Sequence, residues 1–223
     1  MDADTDIARE VKMAKRAYDQ NTRIPKEKMI EFIIATTHAH AAWEVARQEN
    51  TFPTFQPHLE KIVGILREFT EMMKPWDHPY DALLDMYEPG MKTKEVKAIF
   101  EALRPQQVEL LKRIADSEQV DNSFIKQNYP RDGQAAIGSY VSKRFGYNFQ
   151  QGRIDEAAHP FTTELAPDDV RFTTRFLDDD GFSALFSTMH ETGHALYGQG
   201  MNPAWKKTSL GDAASLGFHE SQS

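Results

Sequence analysis

The stretch HETGH, residues 190–194, carries the residue types and spacing best suited to chemistry. On a helix, positions four apart differ by about 40° around the axis, so His190 and His194 project from one face and can share one metal ion. Glu191 lies about 60° from His194 on the other side, within reach of a water on that metal but badly placed as a third ligand. Such a set suits metal-assisted hydrolysis. A metal there would lower the pKa of a bound water from about 15.7 to about 7 and polarise a carbonyl, with Glu191 in reach of that water.

The third ligand decides the kind of site. A His six residues beyond the second is not available, because that position is Gly200. Downstream of it, His219, Glu220 and Asp212 are the credible ligands. Glu220 is the assignment, since a Glu on a following helix gives two His, one carboxylate and one open position. His219 points about 100° away from Glu220 on a helix, which suits a supporting or substrate-facing place, or that of a packed or solvated His. His219, and less directly Tyr197, are candidates for the second donor to a developing oxyanion.

These residues need elements to hold them. LDDDGFSALFSTMHETGHALYGQG (177–200) predicts a helix with Asp179 or Asp180 as N-cap and Gly198 or Gly200 as stop. Phe182, Leu185, Met189 and Leu196 form its expected core face, Ser183 and Ser187 leave room on the metal face, and Gly193 permits close approach of another element. GDAASLGFHESQS, ending at 223, reads as a further helix. Before them, 152–165 and 170–176 turn to β-branched and aromatic residues around the turn residues 166–169, which predicts a hairpin or small sheet. On the second strand Asp169, Arg171 and Thr173 share one face, Val170 and Phe172 the other. Arg171 could read a substrate carboxylate through a bidentate contact, or pair with an acid such as Asp169 and brace the sheet, the better-supported role. His159, beside Pro160 and a core-like Phe161, has a similar choice.

The first two thirds predict helices over 3–20, 24–50, 55–74, 79–90, 93–117 and 132–147. Ile30, Phe32, Ile33, Ile34, Ala41 and Val45 give the second a wide apolar side. Leu59, Ile62, Val63, Ile65 and Leu66 supply the buried face of the third. Pro105 is expected to end or kink the fifth after Leu103. Trp43, Trp76 and Trp205 read as packing residues, the charges of 92–114 as a solvated face, and His38 and His40 face different ways. The fold class is therefore mainly α with a small sheet near 152–176. A helical region spans 1–147 and the sheet with the metal-binding helices spans 148–223, within one partial domain.

Composition narrows the function. The 223 residues are 40% hydrophobic, enough for a real core, and the formal charge of −8 disfavours nucleic acid as a partner. No cysteine is present, so thiolate ligands and disulfides are excluded. The N-terminal stretch lacks the apolar core of a signal peptide and no apolar run approaches the ~18 residues of a membrane span, so a cytoplasmic protein without membrane partners is expected.

HETGH, HPF (159–161), DVRFT (169–173, a DxRxT pattern) and HESQS (219–223) occur in the order and spacing of the M32 metallocarboxypeptidases, the carboxypeptidase Taq type, which the chain resembles over nearly its whole length. YDALLDMYEPGM (80–91) and AAWEVARQENTFPTFQPHLEKIV (41–63) are similar to that family's helical region. The resemblance implies a helical, zincin-like metallopeptidase fold with a small sheet beside a deep groove, usually a homodimer. It implies zinc, or cobalt, on His190, His194 and Glu220, with Glu191 as base. The implied reaction releases single residues from peptides with a free C-terminus, with broad specificity and poor cleavage next to proline. Members of the family are longer at both ends, and their GxxQDxHW and IRxxAD motifs are not in this chain, so a truncated member or fragment is expected. Two other readings compete with an active carboxypeptidase: a non-catalytic helical module, and a zinc endopeptidase of the same class.

Overall fold

The structure is a computed structural model that describes residues 5–223. Positions 3 and 4 of the first expected helix lie outside the described residues. The described residues divide into two compact units, one of residues 11–102 and one of residues 5–10 with 103–223. Helices α1 (Asp6–Arg23) and α5 (Thr93–Ala115) contribute residues to both.

In the 11–102 unit, α2 (Lys26–Glu49) and α3 (Phe52–Met72) form an antiparallel pair joined by a tight connection, followed by α4 (Pro79–Leu84). Asn50 stops α2 in a left-handed conformation, returning its N–H to the Ala46 carbonyl. Ile24, Ala35, Ile65, Phe69 and Met73 are the buried core, with Phe32 against Phe69 at 5.4 Å between ring centroids. The wide apolar side expected of α2 is not buried here. Alanines 35, 39 and 46 are its buried residues, while Ile30, Ile33, Ile34, Trp43 and Val45 are exposed. On α3, Ile65 is buried as expected, with Ile62 and Leu66 packed against the core, whereas Leu59 and Val63 are exposed and Phe69 and Thr70 join the buried face. The two helices bury only the seam between them, so one narrow stripe on each is covered. Helix α4 is shorter than expected, because Asp85 turns the chain by accepting the Gly90 N–H at 2.8 Å. Its start is held by Asp81, which accepts the His78 N–H and both the N–H and hydroxyl of Thr93.

Helix α5 passes through Pro105 without ending. Proline removes a single N–H bond, and its neighbours Leu103, Gln106, Gln107, Leu110 and Leu111 include strong helix formers on an exposed helix.

In the other unit, α6 (Arg131–Phe145) and a three-stranded sheet both pack on α7 (Gly181–Gln199). Strand β1 (Ile154–Glu156) lies parallel to β3 (Asp169–Thr174), and β2 (Thr162–Ala166) antiparallel to it, in the order β1-β3-β2. The 152–165 stretch, expected as part of a hairpin or small sheet, holds two strands, β1 and β2, separated around His159-Pro160, because proline has no N–H to give a ladder. Register pairs Thr162 with Phe172 and Glu164 with Val170, so these four side chains share the face toward α7. Val170, Phe172, Tyr147 and Ala195 make the core beneath it. Burial and the Asp169 carboxylate push the Tyr147 hydroxyl up to about 12, and it donates to the Val170 carbonyl at 2.7 Å. Phe161 is not core: it is half exposed.

The seam of α6, α7 and β3 is lined by hydroxyls. Ser142 meets Thr192 at 2.8 Å, Thr192 donates to the Thr188 carbonyl at 2.6 Å, and Thr188 donates to Thr174 at 3.0 Å. The segment after α7 bends through two short 3-10 turns and ends in α8 (Leu216–Glu220), capped by Ser215 accepting the Phe218 N–H. Residues 212–215 are not helical, so the helix expected over 211–223 is a single short turn set by that serine cap. No helix among the described residues is long and apolar enough to cross a membrane.

Candidate metal centre

Helix α7 starts where Asp180 accepts the Ser183 N–H at 3.0 Å. The Lys126 ammonium, 2.8 Å away, and then that N–H hold the Asp180 carboxyl below its usual range, so the cap stays ionised. The glycine expected to stop the helix at 198 lies inside it, and Gly200 ends it. The core face also differs from expectation. Ala184, Thr188, Thr192 and Ala195 are buried, while Phe182, Leu185, Met189 and Leu196 are half-buried. Small and hydroxylated residues take the core side because α6 and the sheet approach α7 closely. Gly193 and Gly198 mark the closest points: a side chain at 193 would strike the Gln222 carbonyl and Ser223 backbone, and one at 198 the Glu164 side chain.

That contact at Gly193 seats α8 against α7 and brings Glu220 to the two histidines. The Nε2 atoms of His190 and His194 are 3.3 Å apart, and Glu220 Oε2 is 3.6 Å from His194 Nε2. The ligating atoms of all three lie within 4.8 Å of one another. Metal bonds of about 2.0–2.2 Å at tetrahedral angles put neighbouring ligand atoms about 3.3–3.6 Å apart, so two edges of the triangle already have the required length. His194 is buried, with its Nδ1 unpartnered among the described residues, whereas His190 and Glu220 are exposed. Burial first, then the neighbouring His219, pushes the His194 pKa below the ordinary imidazole value, which keeps it in the neutral form that a metal needs. The donor set fits one metal ion with an open side.

Glu191 is buried beside this triangle, and its Oε2 accepts the Thr162 hydroxyl at 2.6 Å. His219 stacks on His194 with centroids 4.4 Å apart and planes 24° from parallel, while Tyr197 meets it edge-on at 5.3 Å. Glu164 Oε1 lies 2.7 Å from His219 Nε2 and fixes the other side of the ring.

The family model for carboxypeptidase Taq (M32) metallopeptidase matches residues 1–223. This chain belongs to that family. It is 39% identical over 223 residues to Carboxypeptidase 1 of Bacillus subtilis (strain 168), covering 100% of this chain and 44% of that protein. It is 38% identical to Thermostable carboxypeptidase 1 of Thermus thermophilus, covering 98% of this chain and 45% of the relative. The solved M32 carboxypeptidase from Deinococcus radiodurans R1 superposes with a TM-score of 0.89 at 36% identity, over 96% of this chain and 43% of that one. The chain thus spans less than half the length of the relatives it matches, and a mainly helical fold with a small sheet is what it shares with them.

Against that M32 frame, the structure brings His190, Glu191, His194, His219, Glu220 and Tyr197 together. Arg171 stands apart. It forms a two-pronged pair with Asp169 at 2.7 and 2.8 Å, on the sheet face that Thr162 and Phe172 do not occupy. The pair lowers the Asp169 pKa and raises that of Arg171, so the guanidinium is engaged within its own strand. His159 is exposed on the connection between β1 and β2, and Asp212 is exposed outside the triangle. Two residues in contact with the site were not among the expected ones, Thr162 and Glu164. Their shared strand parity was readable, but which strand face meets α7 depends on register. The HPF and DxRxT segments are also tied directly: the Phe161 N–H donates to the Thr173 hydroxyl at 3.0 Å, and the Thr173 N–H to the Phe161 carbonyl at 2.9 Å.

Proposed function

We propose that the chain carries the catalytic metal centre of a zinc carboxypeptidase that releases residues from peptides with a free C-terminus. The observation that carries this reading is the convergence of His190, His194 and Glu220 beside a buried Glu191. A zinc ion held by these three residues would acidify a water and polarise the scissile carbonyl. Glu191 is the general base: it removes the water's proton during attack and gives it to the departing amine. His194, buried and neutral, fixes the inner wall of the site. His219 and, less directly, Tyr197 are the candidates to donate to the oxyanion that develops on the carbonyl. Cobalt in place of zinc, a cytoplasmic location and assembly as a homodimer belong to the same reading through the family resemblance.

The test compares a peptide with a free C-terminus against its amidated twin, in wild type and in Glu191→Gln. Release of terminal residues from the free peptide alone is expected. The variant should lose about 10²–10⁴ of the rate while metal content is unchanged. Equal cleavage of both peptides would favour an endopeptidase, and a chain that binds no zinc under replete conditions would favour a non-catalytic module.

A further inference from the structure

We infer that Thr162 is a positioning residue for the general base, acting on the carboxylate of Glu191 from the edge of the sheet. The inference rests on the proposed role of Glu191 but adds a residue to which neither the sequence motifs nor the metal triangle points. A carboxylate on a helix between two ligands has staggered rotamers to choose from, and the one it holds decides where its oxygens aim. The Thr162 hydroxyl donates to Glu191 Oε2 at 2.6 Å, and its single proton favours this shorter contact over the Glu191 carbonyl oxygen 3.2 Å away. Short hydrogen bonds to a carboxylate are among the stronger ones, and this one leaves the second oxygen, Oε1, without a protein hydrogen bond among the described residues. That oxygen is the one available to a water.

The hydroxyl is itself fixed by its surroundings. Thr162 pairs with the fully buried Phe172 across β2 and β3, and a β-branched side chain in a strand has little freedom at χ1. The preceding residue, Phe161, is held by reciprocal bonds to Thr173 at 2.9 and 3.0 Å. A line of short contacts therefore runs from β3 through Phe161 and Thr162 to the base. Its product is placement: a carboxylate 1 Å out of position can cost about a hundredfold in rate without any change in metal binding.

The experiment uses the full chain in its zinc-loaded state with Thr162→Val, Thr162→Ser, Glu191→Gln and the Thr162→Val/Glu191→Gln double variant. Thr162→Val should lower kcat about 10- to 100-fold with KM and zinc content within about twofold of wild type. Thr162→Ser, which restores the donor, should recover to within about threefold. The double variant should be no slower than Glu191→Gln alone, since residues acting as a unit are non-additive. Independently of turnover, the Glu191 carboxylate ¹³C resonance should move in Thr162→Val and return in Thr162→Ser. An unmoved resonance, a fully active Val variant, a Ser variant as slow as Val, or a further slowing in the double variant would each overturn the inference. If the resonance behaves as expected but Glu191→Gln hydrolyses peptide at the wild-type rate, the base assignment falls and the positioning role falls with it.

Discussion

The α2–α3 pair and the seam around α7 are both built from helices, yet they are held by opposite means. In the first, Phe32, Phe69, Ile65 and Met73 fill the interface, and its polar contacts are mostly at the surface, such as Lys28 with Glu68 at 2.5 Å. In the second, hydroxyls of Ser142, Thr174, Thr188 and Thr192 run through the buried seam, and the closest contacts fall at glycines. Apolar packing is non-directional and tolerates small slips, whereas a hydrogen bond fails steeply with distance and angle. A helix that only needs to be buried can use the first. A helix that must aim two imidazoles and a carboxylate within tenths of an ångström needs the second.

The largest effect that would sharpen this contrast comes from His194→Ala. It removes the buried corner of the proposed metal site, and bound metal measured by atomic absorption should fall to near zero. Next, Phe69→Ala should cost about 3–5 kcal/mol in chemical denaturation through the cavity it leaves. Zinc affinity should stay unchanged. A matching loss of zinc would break the comparison. Thr192→Val keeps the shape and removes the hydroxyl that Ser142 and the Thr188 carbonyl share, so a loss of about 1–3 kcal/mol is expected with weaker zinc binding in parallel.

The smallest expected effect lies in the 11–102 unit and depends on pH. The Thr93 hydroxyl, followed by the Thr93 and His78 N–H groups, holds the Asp81 carboxyl below its ordinary value of 3.8. A depressed folded pKa contributes stability that is present above the unfolded value and disappears as pH falls through the folded one. Asp81→Asn should therefore lower the thermal midpoint by a few degrees at neutral pH. The gap should close as both proteins are titrated below 3.8. A gap of constant size across that range would assign the effect to packing.

Much of this was readable from residue order alone. The HETGH helix, the Asp180 cap and the turn between 166 and 169 all follow from local spacing, and local spacing is what a single sequence records. Several departures come from contact between distant positions. Phe182, Leu185 and Met189 have the hydropathy of a core face, but the partners of α7 approach so closely that Ala184, Thr188 and Ala195 are buried instead. Thr162 and Glu164 look like ordinary strand residues until register turns them toward Glu191 and His219. Pro105 marks a helix end by rule, yet its exposed neighbours continue the helix.

The motif HExxH is usually written as though its two middle letters were free. In this chain neither is. Thr192 is fully buried with its hydroxyl bonded to α6, and Gly193 lies under the backbone of Gln222 and Ser223. A library randomised at these two codons and selected for zinc retention should return a narrow alphabet, small hydroxyl or alanine-sized residues at 192 and glycine alone at 193. The signature is thus five consecutive constraints, two of which concern how near two stretches of backbone can come.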